Sequence, residues 1–169
     1  MADRHSVNKE NIFSIRPFVL GDEKDMADLI AFTLKESNGK DYSAEYIEGI
    51  INSYSPESIA QRAEEAHFHV ICDRGDMIAC GGITGYEGSI HESYLVSIFV
   101  HPDYQGRGLG KKIMEVLESD EYFKRARRTE LASSITAAGF YHKLGYEFKN
   151  GVTEPDESGV IRMEKKNAD

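Results

Sequence analysis

Ile98-Phe99-Val100-His101-Pro102-Asp103-Tyr104-Gln105-Gly106-Arg107-Gly108-Leu109-Gly110-Lys111-Lys112 decides how this chain is read. It opens as an apolar run, the pattern of a strand covered on both faces. It closes into a helix whose Leu109, Ile113, Val116 and Leu117 fall on one side. Between them Gly106, Gly108 and Gly110 alternate with other residues. Glycine lets the backbone approach an anion with no side chain in the way. The helix start beyond it offers unpaired N–H groups and the positive end of the dipole. Strand, glycine loop and helix N-terminus together make a phosphate cradle. Taken alone, the same triplet also fits a tight turn that binds nothing.

Two other phosphate loops fit poorly. A P-loop ends in Gly-Lys followed by Ser or Thr, and here Gly110-Lys111 is followed by Lys112, so the hydroxyl ligand for magnesium is missing. A dinucleotide fold spaces its glycines G-x-G-x-x-G, whereas these are two and two apart.

Outward from the loop, the chain alternates elements. A strand is expected over 12–18. A helix should start at Asp22 as N-cap, carry Met26, Leu29, Ile30, Thr33 and Leu34 on one face, and stop near Asn38 and Gly39. A second helix carries Tyr46, Ile47, Ile50, Ile51 and Tyr54, and a third opens with Ser55 as cap and Pro56 at its first position. A hairpin follows, with Arg74-Gly75 at its turn and strands over 67–72 and 77–86. That turn would set Cys72 against Met77 and Cys80 against His69. Strands are expected over 94–100, around Leu131, over 146–148 and over 160–163, with a helix over 136–144 that Gly145 ends. The class is α/β (α+β) in one domain, a mixed sheet with helices on it.

Composition bounds the function. The 169 residues are 40% hydrophobic and 29% charged, enough for one real core. No stretch approaches the roughly 18 apolar residues of a membrane span, and residues 1–11 lack the apolar core of a secretory signal. Membrane partners are not expected. Lys and Arg number 20 against 29 Asp and Glu, a net charge of -9. Nucleic acid is therefore an unexpected partner, and cationic partners are weakly favoured. Two cysteines make no disulfide framework, so a reducing cytoplasm is the expected location. The domain is expected over 12–165, between a flexible N-terminal segment (1–11) and a short tail (166–169).

Gln105-x-x-Gly108-x-Gly110 after a strand resembles the Q/R-x-x-G-x-G/A signature of the GNAT superfamily of N-acetyltransferases. Val100-x-Pro102-x-Tyr104 resembles the segment that leads into it. Ala137-x-x-Phe140-Tyr141-x-x-x-Gly145-Tyr146 is similar to a second family motif, and Ile15-Arg16-Pro17 before Asp22 resembles the usual opening. The resemblance implies a mostly antiparallel sheet whose two central parallel strands splay to admit acetyl-CoA.

Carried over, it implies that Gln105, Gly106, Arg107, Gly108, Leu109, Gly110 and Lys111 cradle the pyrophosphate. Ile98, Phe99 and Val100 would pair with the pantetheine arm, and the Val100 N–H could face the thioester oxygen. Ser134 stands where many members carry an asparagine that holds the cofactor. The implied reaction is direct attack of a neutral primary amine, from a small molecule or a peptide, on the thioester. Tyr141 is the implied general acid for the departing thiolate. The base is open: Tyr94 aligns with the family glutamate, and Glu92 lies two residues earlier, with His91 and Glu87 nearby. Bulk water would also serve. Tyr42, Tyr46, Tyr54 and Tyr86, with Glu45, Glu48 and Glu87, fall where the family shapes its acceptor pocket, which would suit a cationic amine. A homodimer is among the assemblies the resemblance implies. The rival reading is a non-catalytic acyl-CoA-binding module working through a protein partner.

The remaining features read as structural. His67 and His69 share a strand face without a third ligand beside them, so no metal is expected. The basic run Lys124-Arg125-Ala126-Arg127-Arg128 reads as a solvated helix end, with the CoA 3′-phosphate or RNA as its other readings.

Overall fold

The computed structural model describes residues 13–167. The expected N-terminal segment 1–11 and the first residue of the expected opening strand lie outside them. Seven strands form one sheet in the order β1-β2-β3-β4-β5-β7-β6. They are β1 (Phe13–Pro17), β2 (His67–Asp73), β3 (Asp76–Tyr86), β4 (Ser89–Val100), β5 (Arg128–Ser133), β6 (Glu147–Phe148) and β7 (Ile161–Lys166). Among the described strands only β4 and β5 run parallel.

The two long hairpins turn for the same reason. Arg74-Gly75 and Glu87-Gly88 all adopt positive φ (52°, 93°, 46° and 74°). That pair of left-handed residues gives the two-residue turn whose twist matches antiparallel strands. β4 therefore begins at Ser89, five residues before the expected start. Cys72 pairs with Met77 as expected, but a bulge between Ile71 and Cys72 sets Cys80 opposite Val70, not His69. The two thiols are buried and free.

Helices cover both faces. Helices α1 (Glu23–Thr33), α2 (Ala44–Asn52) and α3 (Pro56–Arg62) build a core in which Met26, Ile30, Ile47 and Ile59 meet Phe68, Val70 and Cys80. On the opposite face lie α4 (Leu109–Glu118) and α6 (Ala138–Lys143). There Leu109, Ile113, Met114 and Leu117 pack with Ile71, Leu131, Tyr146 and Met163. Each such apolar side chain stabilises the fold by about 1.5–3 kcal/mol through burial. Gly81 lets α4 approach the sheet, since a Cβ there would lie 2.5 Å from Ile113 Cγ2.

Ser43 and Ser55 cap α2 and α3, each accepting an N–H at 3.1 Å. Asp22 does not cap α1 with its side chain. Its own φ and ψ are already helical, and its carboxylate instead accepts from Arg16 at 2.7 Å and from the Val19 N–H at 2.9 Å. Beyond Thr33 the helix widens into a π turn, Leu34–Asn38, a form that often marks functional sites. The short helix α5 (Glu121–Arg125) begins at Asp120, whose carboxylate accepts the Tyr122 N–H at 2.8 Å. β7 runs to Lys166, and the Asn167 amide donates to the Phe123 and Ala126 carbonyls at 3.0 and 2.7 Å. Order thus continues into the segment read as a tail. No helix among the described residues is long and apolar enough to cross a membrane.

Candidate active site

β4 and β5 pair only from Glu92 opposite Arg128 to Leu95 opposite Leu131. Past Leu95 a bulge interrupts β4: Val96 faces Gly82, yet Phe99 faces Cys80. Ser97 sits in the bulge with φ of 55°. Such a bulge bends its strand and raises its twist, and here β4 swings away from β5. The gap between them is a cleft of about 760 Å³, lined by both strands, the π turn, the glycine loop and α6.

The glycine loop forms one end. Gly106 and Gly108 have φ of 76° and 79°, which other residues adopt only under strain. Gly108 is the N-cap of α4, and the Gly108 carbonyl accepts the Lys112 N–H at 3.1 Å. The N–H groups from Gly106 to Lys111 donate to no protein acceptor among the described residues. The first turn of α4 holds no acidic residue. Unpaired amides, a dipole's positive end and Lys111 together suit a diphosphate. Gly110 also lets α6 come close, because a Cβ there would lie 3.0 Å from Phe140 Cζ. The Gln105 amide donates to the Val100 carbonyl at 3.1 Å and to Ser37 Oγ at 2.9 Å. It thereby ties the end of β4 to the π turn.

Ile98, Phe99, Val100, Gln105, Gly106, Gly108, Leu109, Gly110, Lys111, Ser134 and Tyr141 all line this one cleft. Arg107 is not among its lining residues; its guanidinium lies over the Tyr104 ring, 4.9 Å from the centroid. Ser134 Oγ accepts the Ala137 N–H at 3.2 Å, so it caps the turn into α6 as well as facing the cleft.

Tyr141 is 6% exposed. Burial pushes its phenol well above the ordinary range, so it stays protonated at any physiological pH. Its hydroxyl has no hydrogen-bond partner among the described residues.

Glu92 is not brought to the cleft. Its carboxylate accepts from Arg128 Nε at 2.8 Å. Arg128 also binds Glu130 and, at 2.9 Å, Glu164, while Lys149 donates to Glu130 at 2.8 Å. The parallel register that sets Glu92 opposite Arg128 consumes the carboxylate in an ion-pair network, which removes it as a base facing the cleft. Tyr94 is likewise absent from the lining, its hydroxyl accepting from Arg162 at 3.2 Å. Arg128 is thus an inward strand residue, unlike the solvated helix end expected.

The far wall is aromatic and aliphatic. Tyr42 and Tyr46 stack with centroids 4.6 Å apart, and their hydroxyls donate to the Gly159 and Ser158 carbonyls, each at 2.7 Å. Tyr54 meets Ser97 Oγ at 3.0 Å. Ile47 and Ile50 complete this side. Glu45, Glu48, Glu87 and Tyr86 do not line it. The polar π-turn residues Ser37 and Asn38 carry no sequence signal beyond a helix end.

Outside the cleft, His67 Nδ1 bonds Asp120 at 2.9 Å, and buried His69 Nδ1 has no partner among the described residues. No group of three or more metal-ligating side chains occurs among the described residues.

Residues 38–167 match the family model described as an acetyltransferase (GNAT) domain. Solved structures share the fold. One is the PaiA N-acetyltransferase from Thermoplasma acidophilum in complex with coenzyme A (TM-score 0.77, 20% identity, covering 92% of this chain and 99% of that one). Another is a GCN5-related N-acetyltransferase from Rhodopseudomonas palustris (TM-score 0.74, 22% identity, 91% and 95% covered). A third is an acetyltransferase from Streptococcus agalactiae (TM-score 0.70, 13% identity, 92% and 98% covered).

Proposed function

The chain belongs to the GNAT family of acetyltransferases, and from that membership we propose that it is an N-acetyltransferase transferring acetyl from acetyl-CoA to a primary amine. One observation carries the reading: Gly106 and Gly108 to Lys111, whose amides are undonated, and the buried Tyr141 line one open cleft. Acetyl-CoA, the family's cosubstrate, supplies an activated acetyl thioester. The amides of the glycine loop and Lys111 would hold its diphosphate. The cleft edge of β4, from Ile98 to Val100, would align its amide-bearing arm, and a backbone N–H at Val100 would polarise the thioester carbonyl.

The amine nitrogen attacks the acetyl carbon; the N–C bond forms and the C–S bond breaks. Tyr141 gives its proton to the sulfur leaving group, and the nitrogen loses one proton to water, from which Tyr141 is recharged. Nothing is oxidised or reduced. With Glu92 bound to Arg128, water is the base in this reading.

The test is thiol release from acetyl-CoA with a panel of amines, run beside CoA binding followed by melting temperature. Turnover with at least one amine supports the enzyme. A rise in melting temperature with CoA but no turnover with any amine replaces it with a non-catalytic acyl-CoA-binding module.

A further inference from the structure

The acceptor wall has a chemistry of its own, and its reading rests on the N-acetyltransferase proposal above. The titratable side chains lining the cleft are Tyr42, Tyr46, Tyr54, Tyr104, Tyr141 and Lys111. At neutral pH the full charge these place on the cleft is therefore one positive charge. The Tyr42 and Tyr46 hydroxyl protons are committed to the Gly159 and Ser158 carbonyls, and Tyr42 Oη also accepts the Ile135 N–H at 2.9 Å. Asp41, at the rim, accepts from Thr136 Oγ1 and is exposed. Asp156 is held by Arg162 at 3.2 Å.

An ammonium group entering this space leaves its water and finds no carboxylate among the lining residues; Asp41 and Asp156, close enough to act on the Tyr42 phenol, are already engaged by Thr136 and Arg162. Ring faces would offset part of that cost, but Tyr42 and Tyr46 each spend one face on the other. A desolvated, unpaired charge is expensive. A neutral amine on an apolar body pays no such cost and covers Ile47, Ile50 and Tyr46.

We propose that the acceptor is a weakly basic amine on an apolar body, the α-amino group of a peptide or amino-acid amide with a hydrophobic first side chain, and not a polyamine or lysine-like alkylamine. The protonation arithmetic agrees with the wall. With no lining base, the nucleophile is whatever fraction arrives neutral. At pH 7.5 that is about a third of an α-amine but only about a thousandth of a lysine-type amine.

The test uses the full chain with acetyl-CoA, and follows thiol release from pH 6.5 to 9.5 for phenylalanyl-glycinamide, aspartyl-glycinamide, Nα-acetyl-lysinamide and a linear triamine. At pH 7.5, kcat/KM for phenylalanyl-glycinamide should exceed that for the alkylamines by more than about tenfold. It should exceed that for aspartyl-glycinamide by about tenfold or more. The rate for each α-amine should climb with pH and bend near about pH 8, while each alkylamine rate should still be climbing at the top of the range, and both profiles should be unchanged in Asp41→Asn. Preference for an alkylamine at pH 7.5 overturns the proposal. So does one rising limb shared by all amines and abolished by Asp41→Asn, since that marks a side-chain base. No thiol release from any amine despite CoA binding defeats the enzyme reading itself, a separate outcome.

Discussion

The Tyr54 hydroxyl and Ser97 Oγ lie 3.0 Å apart, joining the segment between α2 and α3 to the one residue of β4 that adopts a left-handed φ. Ser97 is where β4 departs from β5, so the bond fastens the bulge that opens the cleft. Tyr54 also stands edge-on to Phe99, with centroids 5.9 Å apart. Tyr54→Phe keeps that packing and leaves the Ser97 hydroxyl short of a partner. Urea denaturation should show a loss of about 1 kcal/mol, and kcat/KM for the amine should fall while CoA affinity holds. An unchanged denaturation midpoint would make the bond incidental.

Tyr141→Phe tests the proposed acid. A phenol that protonates the leaving sulfur contributes about 10²- to 10⁴-fold, so kcat should drop by that order with little change in CoA affinity. The pH profile gives an independent sign. Burial raises the Tyr141 pKa, and the acid form persists below it. No falling limb should therefore appear in kcat on the alkaline side up to about pH 10, the ordinary phenol value. A descending limb near pH 8–9 that disappears in Tyr141→Phe would contradict the assignment of burial as the dominant influence.

How much of this was legible in the sequence depends on the range of the contacts. The glycine loop, the Ser55 cap and the hairpin turn at Arg74-Gly75 are local, and their residues encode them directly. The fate of Glu92 was not legible. It is decided by Arg128, thirty-six residues away, through a parallel register that only the folded sheet sets. Cys80 was misplaced by one residue because a bulge at Ile71/Cys72 shifts the ladder, and no local residue announces it. The π turn carries Ser37 to Gln105, whereas an apolar stripe marks only the buried face of α1.

Arg128 holds three glutamates together. Glu130 is 1% exposed; burial favours its neutral form, but hydrogen bonds from Lys149 and Arg128 outweigh that and lower its pKa. A carboxylate lowered on folding contributes stability that is fully present above its unfolded pKa, about 4.3, and fades as pH falls through the folded value. Acid titration of stability should show that loss beginning near pH 4–5. Arg128→Met leaves Glu92, Glu130 and Glu164 facing one another with Lys149 alone, at a cost of about 3–5 kcal/mol at pH 7. A loss below 1 kcal/mol would show that Lys149 suffices.

Gly159 supports the aromatic wall of the cleft, the proposed acceptor side. Its φ is 77°, and a Cβ there would lie 2.8 Å from the Tyr46 hydroxyl. Gly159→Ala must therefore strain the turn and push Tyr46, for about 1–2 kcal/mol of stability. Because Tyr46 stacks on Tyr42, KM for the amine should rise. Neither Gly159 nor Tyr46 is hydrogen-bonded to residues 106–111, so CoA affinity should stay constant. A parallel loss of CoA affinity would mean that the two ends are coupled.

Gly108 separates backbone strain from obstruction of the proposed diphosphate cradle. Its φ of 79° disfavours any side chain, yet a Cβ there would meet nothing within 4 Å. Gly108→Ala should then lose about 1–2 kcal/mol from conformation alone. Asparagine tolerates the left-handed region better, so Gly108→Asn should recover most of that stability. Both side chains, however, project beside amides that are free to receive phosphate oxygens, so both variants should bind CoA more weakly, by about tenfold or roughly 1.4 kcal/mol. Calorimetric titration with CoA, read beside urea melts, distinguishes the two effects. If Gly108→Asn restores stability and affinity together, strain was the whole effect, and the amides from 106 to 111 are not where the diphosphate sits.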